Sequence, residues 1–202
     1  RLRLFLALCS AVATCHRTKV VHRDLKASNV RVNGGGQVKL LDFGVAKRLD
    51  HRLSRSIPPD HPTLRQFVTP EASSPEQIRG AEVGFSSDIY SLGVLLYEVL
   101  SGRPPYQLKN GVTNAEIERI ICEQNPGPPS RRVPRGHPFT PRLLRPSLDT
   151  ITLKAMSKAP KKRHETVEEL RVEIQSALTE LETGRPARPR MLAVVLRSMF
   201  GL

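Results

Sequence analysis

The sequence predicts a mainly α fold, a helical bundle carrying one small β-hairpin. Apolar residues recur at helical spacing in residues 2–15, from Ser86 to about Leu100 and from Val167 to Leu181. Alternating apolar residues in Val30-Arg31-Val32 and Val38-Lys39-Leu40-Leu41 flank Asn33-Gly34-Gly35-Gly36, the pattern of a hairpin about an Asn-Gly turn. No internal repeat is evident.

The elements follow in order. Leu2, Phe5, Leu8, Cys9 and Val12 line one face of an opening amphipathic helix. Val20-Val21 reads as a short strand or its start, and the hairpin comes next. From Ala46 to Phe67 Arg, Ser, His and Pro dominate without an apolar period, so a long exposed loop is expected. Ser86-Ser87-Asp88 reads as the cap of a helix to about Leu100 that is apolar on several faces, as a helix through the middle of a core must be. Gly102 and Pro104-Pro105 stop it. A helix from about Asn114 to Glu123 places Ile117, Ile120 and Ile121 on one side. A Pro- and Arg-rich loop spans Asn125 to Pro146, and Ser147 reads as the cap of a helix to about Lys158. Thr166 with Glu169 reads as a capping box for the last helix.

At 202 residues the chain is long enough for one well-buried domain, and its 39% hydrophobic content suffices. The start at Arg1, inside an apolar helical pattern and without an initiator Met, reads as a fragment. Lys plus Arg number 32 against 19 Asp plus Glu, a net charge of +13 that favours anionic partners or reflects arginine-rich coding. Aromatics are only 4% and Trp is absent, so stacking platforms for nucleic acid are missing and none is expected as a partner. Cys9, Cys15 and Cys122 have no metal-ligand spacing and form no even framework, which suits a reducing cytoplasm.

The chemistry concentrates between Val20 and Gly44. His22-Arg23-Asp24-Leu25-Lys26-Ala27-Ser28-Asn29 fills every fixed position of H-R-D-L-x-x-x-N, and Asp42-Phe43-Gly44 follows as D-F-G. One acid, one lysine, one amide and a second acid stand at the spacing phosphoryl transfer uses. The hairpin between them would hold Asn29 and Asp42 close together.

With these motifs, and with VVHRDLKASN, LLDFGVAK, TPEASSPEQIRG and SSDIYSLGVLLYEVLSGRPPY, the chain resembles the C-terminal lobe of a bacterial-type serine/threonine protein kinase. The resemblance covers residues 1–183 as a partial kinase domain and leaves 184–202 as a basic and apolar tail. It implies transfer of the ATP γ-phosphoryl group to Ser/Thr hydroxyls of a protein substrate, with ATP and Mg²⁺ as cofactors. Asp24 would orient or deprotonate the substrate hydroxyl, and Lys26 would neutralise the transferring phosphoryl group. Asn29 and Asp42 would hold Mg²⁺ through oxygen ligands. Thr69 would hydrogen-bond Asp24 and Lys26.

The remaining positions are expected to support these. His22 would pack near the Asp42-Phe43-Gly44 turn as a structural imidazole. Arg23 would bind a phosphate on the activation loop, where Ser54, Ser56 and Thr63 are available. Glu76 would form a buried ion pair with Arg163, and Asp88 would accept hydrogen bonds from the His22-Arg23 backbone.

Several positions depart from the family pattern. Ala27 stands where proline is common, Val68 where glycine is frequent, and Ala72 where an aromatic is usual. Only nineteen residues precede Val20, and no G-x-G-x-x-G, β3 lysine or αC glutamate is present, so the N-terminal lobe becomes a required partner. Little or no activity is expected of these 202 residues alone; the alternative is a non-catalytic, pseudokinase-like interaction module. The tail from Arg185 is basic and then apolar, with twelve residues from Met191 to Leu202 interrupted by Arg197, against the roughly twenty a membrane span needs. It reads as a frayed or docked terminus, with an interfacial helix on anionic lipid as the other reading. The expected location is the cytoplasm, with membrane tethering in the full-length protein as an extension.

Overall fold

A computed structural model describes residues 1–42, 70–108, 111–144 and 146–183. Helix α1 (Leu2–Arg17) leads to a loop and a 3-10 turn at Ala27–Asn29, then to β1 (Val30–Val32) and β2 (Val38–Leu40). After a 3-10 turn at Pro70–Ala72 come α2 (Pro75–Ile78), α3 (Phe85–Ser101), α4 (Asn114–Glu123), α5 (Pro141–Leu144), α6 (Ser147–Ala155) and α7 (Val167–Thr183). The two strands pair antiparallel with Val30 opposite Leu40 and Val32 opposite Val38. The fold is mainly α, as the helical spacing predicts.

Helix α3 runs through the centre, and Ile89, Tyr90, Leu92, Leu96, Tyr97 and Leu100 along it have no exposed surface. Helices α1, α6 and α7 close around it, with Phe5, Cys9, Val12, Leu148, Ala155, Leu170 and Ile174 in one shared core. Each fully buried large aliphatic contributes roughly 1.5–3 kcal/mol, so this core holds the helices together. Gly93 lets α3 and α6 meet: a Cβ there would lie 2.8 Å from Met156 Cγ and 2.9 Å from Ala155 Cβ. Gly102 ends α3 in the left-handed conformation at φ 68°, its N–H bonded to the Glu98 carbonyl.

The hairpin turn is organised by Asn33, whose Oδ1 accepts from Gly35 N at 3.1 Å and Gln37 N at 2.9 Å. This is the local bonding that favours Asn in turns.

Several boundaries differ from the sequence expectation. Val20-Val21 is no strand: these residues have no ladder partner, and the Val20 N–H bonds the Cys15 carbonyl to close α1. Helix α3 starts before the expected Ser86-Ser87-Asp88 cap, with Gly84 at the N-cap, because Ser87 and Asp88 spend their oxygens on distant residues. Ser147 lies inside α6, its hydroxyl bonded to Glu180 Oε2 at 3.2 Å, and the helix ends at Ala155 rather than near Lys158. The Thr166 hydroxyl accepts from Glu169 N at 3.1 Å, yet the Glu169 carboxylate reaches back to Glu165 N, one residue beyond the expected box. The Asn125–Pro146 loop contains α5 and a 3-10 turn at Pro129–Arg131, pinned by Asp149 through both the N–H and the hydroxyl of Ser130.

Cys9 and Cys122 are buried, Cys15 half-buried, and all three are free thiols. Among the described residues no helix is long and apolar enough to cross a membrane.

Candidate active site

The loop after α1 turns sharply because Arg23 adopts φ 70°, a left-handed conformation that costs a non-glycine residue ~1–2 kcal/mol. Asp88, only 1% exposed, offsets that cost. Its Oδ2 accepts from His22 N and its Oδ1 from Arg23 N, both at 2.8 Å. Its Oδ2 also meets His16 Nε2 at 2.8 Å. Gln77 Nε2 donates to the Arg23 carbonyl at 2.7 Å. The turn is thus held on its donor side by α3 and on its acceptor side by α2.

Once the turn is set, three polar side chains converge. Asp24 Oδ2 lies 3.0 Å from Lys26 Nζ and accepts from Asn29 Nδ2 at 3.0 Å. Asn29, 5% exposed, also donates through Nδ2 to the Asp24 carbonyl at 2.9 Å. Its amide nitrogen is spent on Asp24, which leaves the amide oxygen for a cation. Asp24 and Lys26 keep about a quarter of their side-chain surface open to solvent.

The hairpin connects this cluster to Asp42. The Leu41 N–H bonds the Asn29 carbonyl at 2.9 Å, extending the β1–β2 ladder by one step. The buried His22 ring adds a cross-link: Nδ1 accepts from Asp24 N at 3.4 Å and Nε2–H donates to the Leu41 carbonyl at 3.1 Å. Asp42, exposed and at φ 49°, follows directly. Two oxygen-bearing side chains on a braced hairpin fit a hard cation that draws its remaining ligands from phosphates and water. They do not form a closed protein cage, and no cluster of three or more His, Cys, Asp or Glu among the described residues could do so.

A second construction secures the segment from Pro70 to Ile78. Arg163 and Glu76 form a forked pair, Nη1 to Oε1 at 2.7 Å and Nη2 to Oε2 at 2.8 Å. Ser87 donates to the same Oε1 at 2.6 Å, and Arg163 also reaches the carbonyls of Ser86, Ser157 and Lys158. Burial alone would raise the Glu76 pKa, but the hydrogen bonds from Arg163 and Ser87 outweigh it and hold the carboxyl below its usual range. Ser74 and Gln77 cap α2 reciprocally, so the amide that bonds Arg23 is itself fixed by the helix start. Ser91 donates to the Ala72 carbonyl at 2.8 Å, tying the Pro70–Ala72 turn to α3.

Comparison with known proteins places this arrangement. Residues 2–176 match the protein kinase domain model. The chain belongs to the protein kinase family. It is 34% identical over 185 residues to the serine/threonine-protein kinase PknB of Mycobacterium tuberculosis, covering 91% of this chain and 26% of that protein. It is 34% identical over 187 residues to a probable serine/threonine-protein kinase of Streptomyces coelicolor, covering 92% of this chain and 25% of the relative. A probable serine/threonine-protein kinase of Corynebacterium efficiens is 32% identical over 185 residues, or 92% of this chain and 26% of its own length. The chain spans about a quarter of the length of these curated relatives.

Within this kinase-family chain the structure brings Asp24, Lys26 and Asn29 into one cluster, links His22 to Leu41, sets Asp88 under Arg23 and joins Glu76 to Arg163. Thr69, Phe43, Gly44, Val68, the loop residues Ser54, Ser56 and Thr63, and the tail from residue 184 lie outside the described residues. Three further residues in this network, His16, Ser87 and Gln77, had no part in the site assigned from sequence. His16 is a polar residue on the last turn of an amphipathic helix and gives no local signal. Ser87 reads as a cap but serves Glu76. Gln77 did carry a signal, since Ser74-x-x-Gln77 is a capping-box spacing.

Proposed function

We propose that this chain is the Mg²⁺- and substrate-side part of a serine/threonine protein kinase, joining ATP and a protein hydroxyl when a nucleotide-covering lobe completes the site. The observation that carries the reading is the Asp24–Lys26–Asn29 cluster, hydrogen-bonded internally and tied through the Asn29–Leu41 backbone bond to the hairpin that Asp42 follows. Bound ATP supplies the phosphoryl group, and Mg²⁺ offsets the charge on its phosphates. Asn29 and Asp42 would hold the cation. Asp24 has Oδ2 engaged by Lys26 and Asn29, so Oδ1 is the atom to orient the substrate hydroxyl and take its proton. Lys26 is close enough to share its charge between Asp24 and the transferring group. Residues 1–183 form the lobe in this reading, 184–202 a separate tail, and three free thiols suit the cytoplasm.

The absence of a glycine-rich loop and a β3 lysine from the 202 residues leaves the α- and β-phosphates without half their walls. By itself the chain should transfer little or no phosphate. The test measures phosphotransfer from ATP to a generic basic protein, by the chain alone and with a kinase N-terminal lobe supplied. Activity confined to the complemented sample and lost in Asp42→Asn supports the reading. A complemented sample that binds no nucleotide overturns it in favour of an interaction module, a role that Ala72 in the docking segment would suit.

A further inference from the structure

A cleft of about 290 Å³ opens where the segment from Pro105 to Gln107, the end of α4 and Arg132 meet. Arg132, Gln107, Gln124 and Asn125 supply its polar walls, and Pro105, Ile120 and Pro126 its apolar ones. The Arg132 guanidinium is half-buried. Among the described residues it has no hydrogen bond and no carboxylate within ion-pair distance. Asp149 on α6 is committed elsewhere, its Oδ1 to the Ser130 N–H at 2.9 Å and its Oδ2 to the Ser130 hydroxyl at 2.6 Å. The side-chain amides of Gln107, Gln124 and Asn125 likewise make no hydrogen bond among the described residues. Tyr97 packs in the same cluster as Tyr106, which lines the cleft, and its hydroxyl is buried without a hydrogen-bond partner. Donors here outnumber acceptors.

We propose that this cleft binds a phosphate monoester, with the Arg132 fork on two of its oxygens and the amides of Gln107, Gln124 and Asn125 donating around it. The donor set selects the ligand. A carboxylate has two oxygens, which one guanidinium satisfies, and three amides would then stay idle. A phosphate monoester offers three acceptor oxygens and close to two negative charges. The cleft has room beyond the phosphate for a short carbon stem, which Pro105, Ile120 and Pro126 would cover. None of these residues belongs to the Asp24–Lys26–Asn29 cluster, so the site is independent of whether the chain transfers phosphate.

Arg132 is in place before a ligand arrives. Its N–H bonds the Pro129 carbonyl at 2.9 Å to close the Pro129–Arg131 turn, which Asp149 pins through Ser130. A guanidinium on a braced turn gives up little conformational freedom on binding. The surroundings also favour an anion. Among the described lining residues Arg132 is the one charged side chain, and Glu123 on the last turn of α4 does not line the cleft. Lys158 Nζ donates to the Tyr106 hydroxyl at 2.6 Å and to the Ile121 carbonyl. The second bond occupies a carbonyl of the last turn of α4, whose partial negative charge would otherwise oppose an anion beside Gln124. The Arg132 charge reaches Tyr97 as well: burial raises the pKa of that phenol, Arg132 opposes the rise and Asp149 adds to it.

The test titrates the isotope-labelled 202-residue chain with N-acetyl-O-phosphoserine amide and follows the Arg132 Nε–H and the side-chain amides of Gln107, Gln124 and Asn125 by NMR. Saturable shifts at these groups are expected, with binding weakened at least ~10-fold in Arg132→Gln. Gln124→Ala, at an exposed position, should weaken it severalfold, and the backbone spectrum of each variant reports whether it folds. A phosphoserine peptide that binds more tightly than the capped residue marks the source as a phosphorylated protein, and equal binding marks a small phosphate ester; either supports the proposal. N-acetylglutamate amide binding as tightly as the phosphate ester makes this a carboxylate site and overturns it. So does an absence of saturable shifts at these groups, or equal affinity in wild type and folded Arg132→Gln.

Discussion

Glu76 and Arg163 stand 87 residues apart in the chain and meet through two hydrogen bonds of 2.7 and 2.8 Å. The pair links α2 to the turn before α7, with Ser87 of α3 on the same carboxylate. Removing one partner leaves a buried charge without compensation. Arg163→Ala should therefore cost ~3–5 kcal/mol of unfolding free energy, measured by urea titration. Glu76→Leu with Arg163→Met should cost less than either single change, because no charge is stranded. Equal losses in the single and double variants would mean that the bonds to Ser86, Ser157 and Lys158 matter more than the pair.

Asp88 anchors the His22-Arg23 turn through consecutive amides, so its effect should be local before it is global. Asp88→Asn keeps one acceptor oxygen and loses the other. Protection of the His22 and Arg23 amides against hydrogen exchange should fall at least tenfold, with a stability loss of roughly 2 kcal/mol. Unchanged protection of both amides would show that Gln77 and the hairpin hold the turn without Asp88.

Gly93 is set by contact and not by conformation. Helix propensity alone favours Gly93→Ala by about 1 kcal/mol, but the new methyl would meet Met156 and Ala155 at under 3 Å. Overpacking of this kind costs ~1–3 kcal/mol, so the variant should melt at or below the wild-type temperature. Gly93→Val should be clearly worse. A rise in melting temperature for Gly93→Ala would mean that α6 can shift away without loss.

Glu173 gives the chain an acid-sensitive clasp. His164 at 3.0 Å, and Lys154 at 2.9 Å after it, overcome burial and hold the Glu173 carboxyl down to about 2. The folded pKa lies below the unfolded one, so this contribution is full above the usual carboxylate range and is lost as pH falls toward 2. Roughly 2–3 kcal/mol should separate wild type from Glu173→Gln above the usual carboxylate range. Stability curves of the two proteins between pH 5 and pH 2 should converge as pH drops; parallel curves would contradict the assignment.

The family signature was legible because it is local. His22 through Asn29 and Asp42 stand at fixed short spacings, and their residue types state a chemistry before any contact is known. The hairpin was legible for the same reason, since Asn33 makes its turn from bonds within four residues. Helix starts were less legible. Ser87, Asp88 and Ser147 look like caps, yet each gives its side chain to a residue far along the chain. A capping oxygen and a tertiary acceptor have the same composition, and only packing decides between them.

Residue spacing alone, then, established a mainly α chain, one hairpin and the signature of the protein kinase family. Periodicity and turn chemistry act over a few residues and need no knowledge of the rest. Tertiary structure alone decided that His16 would share Asp88 with the His22-Arg23 turn, that Gln77 would bridge its own helix cap to Arg23, and that Lys158 would lie against two tyrosines. Those contacts follow from how α1, α2 and α6 pack around α3. That packing sets which buried polar groups face one another and which must find a partner.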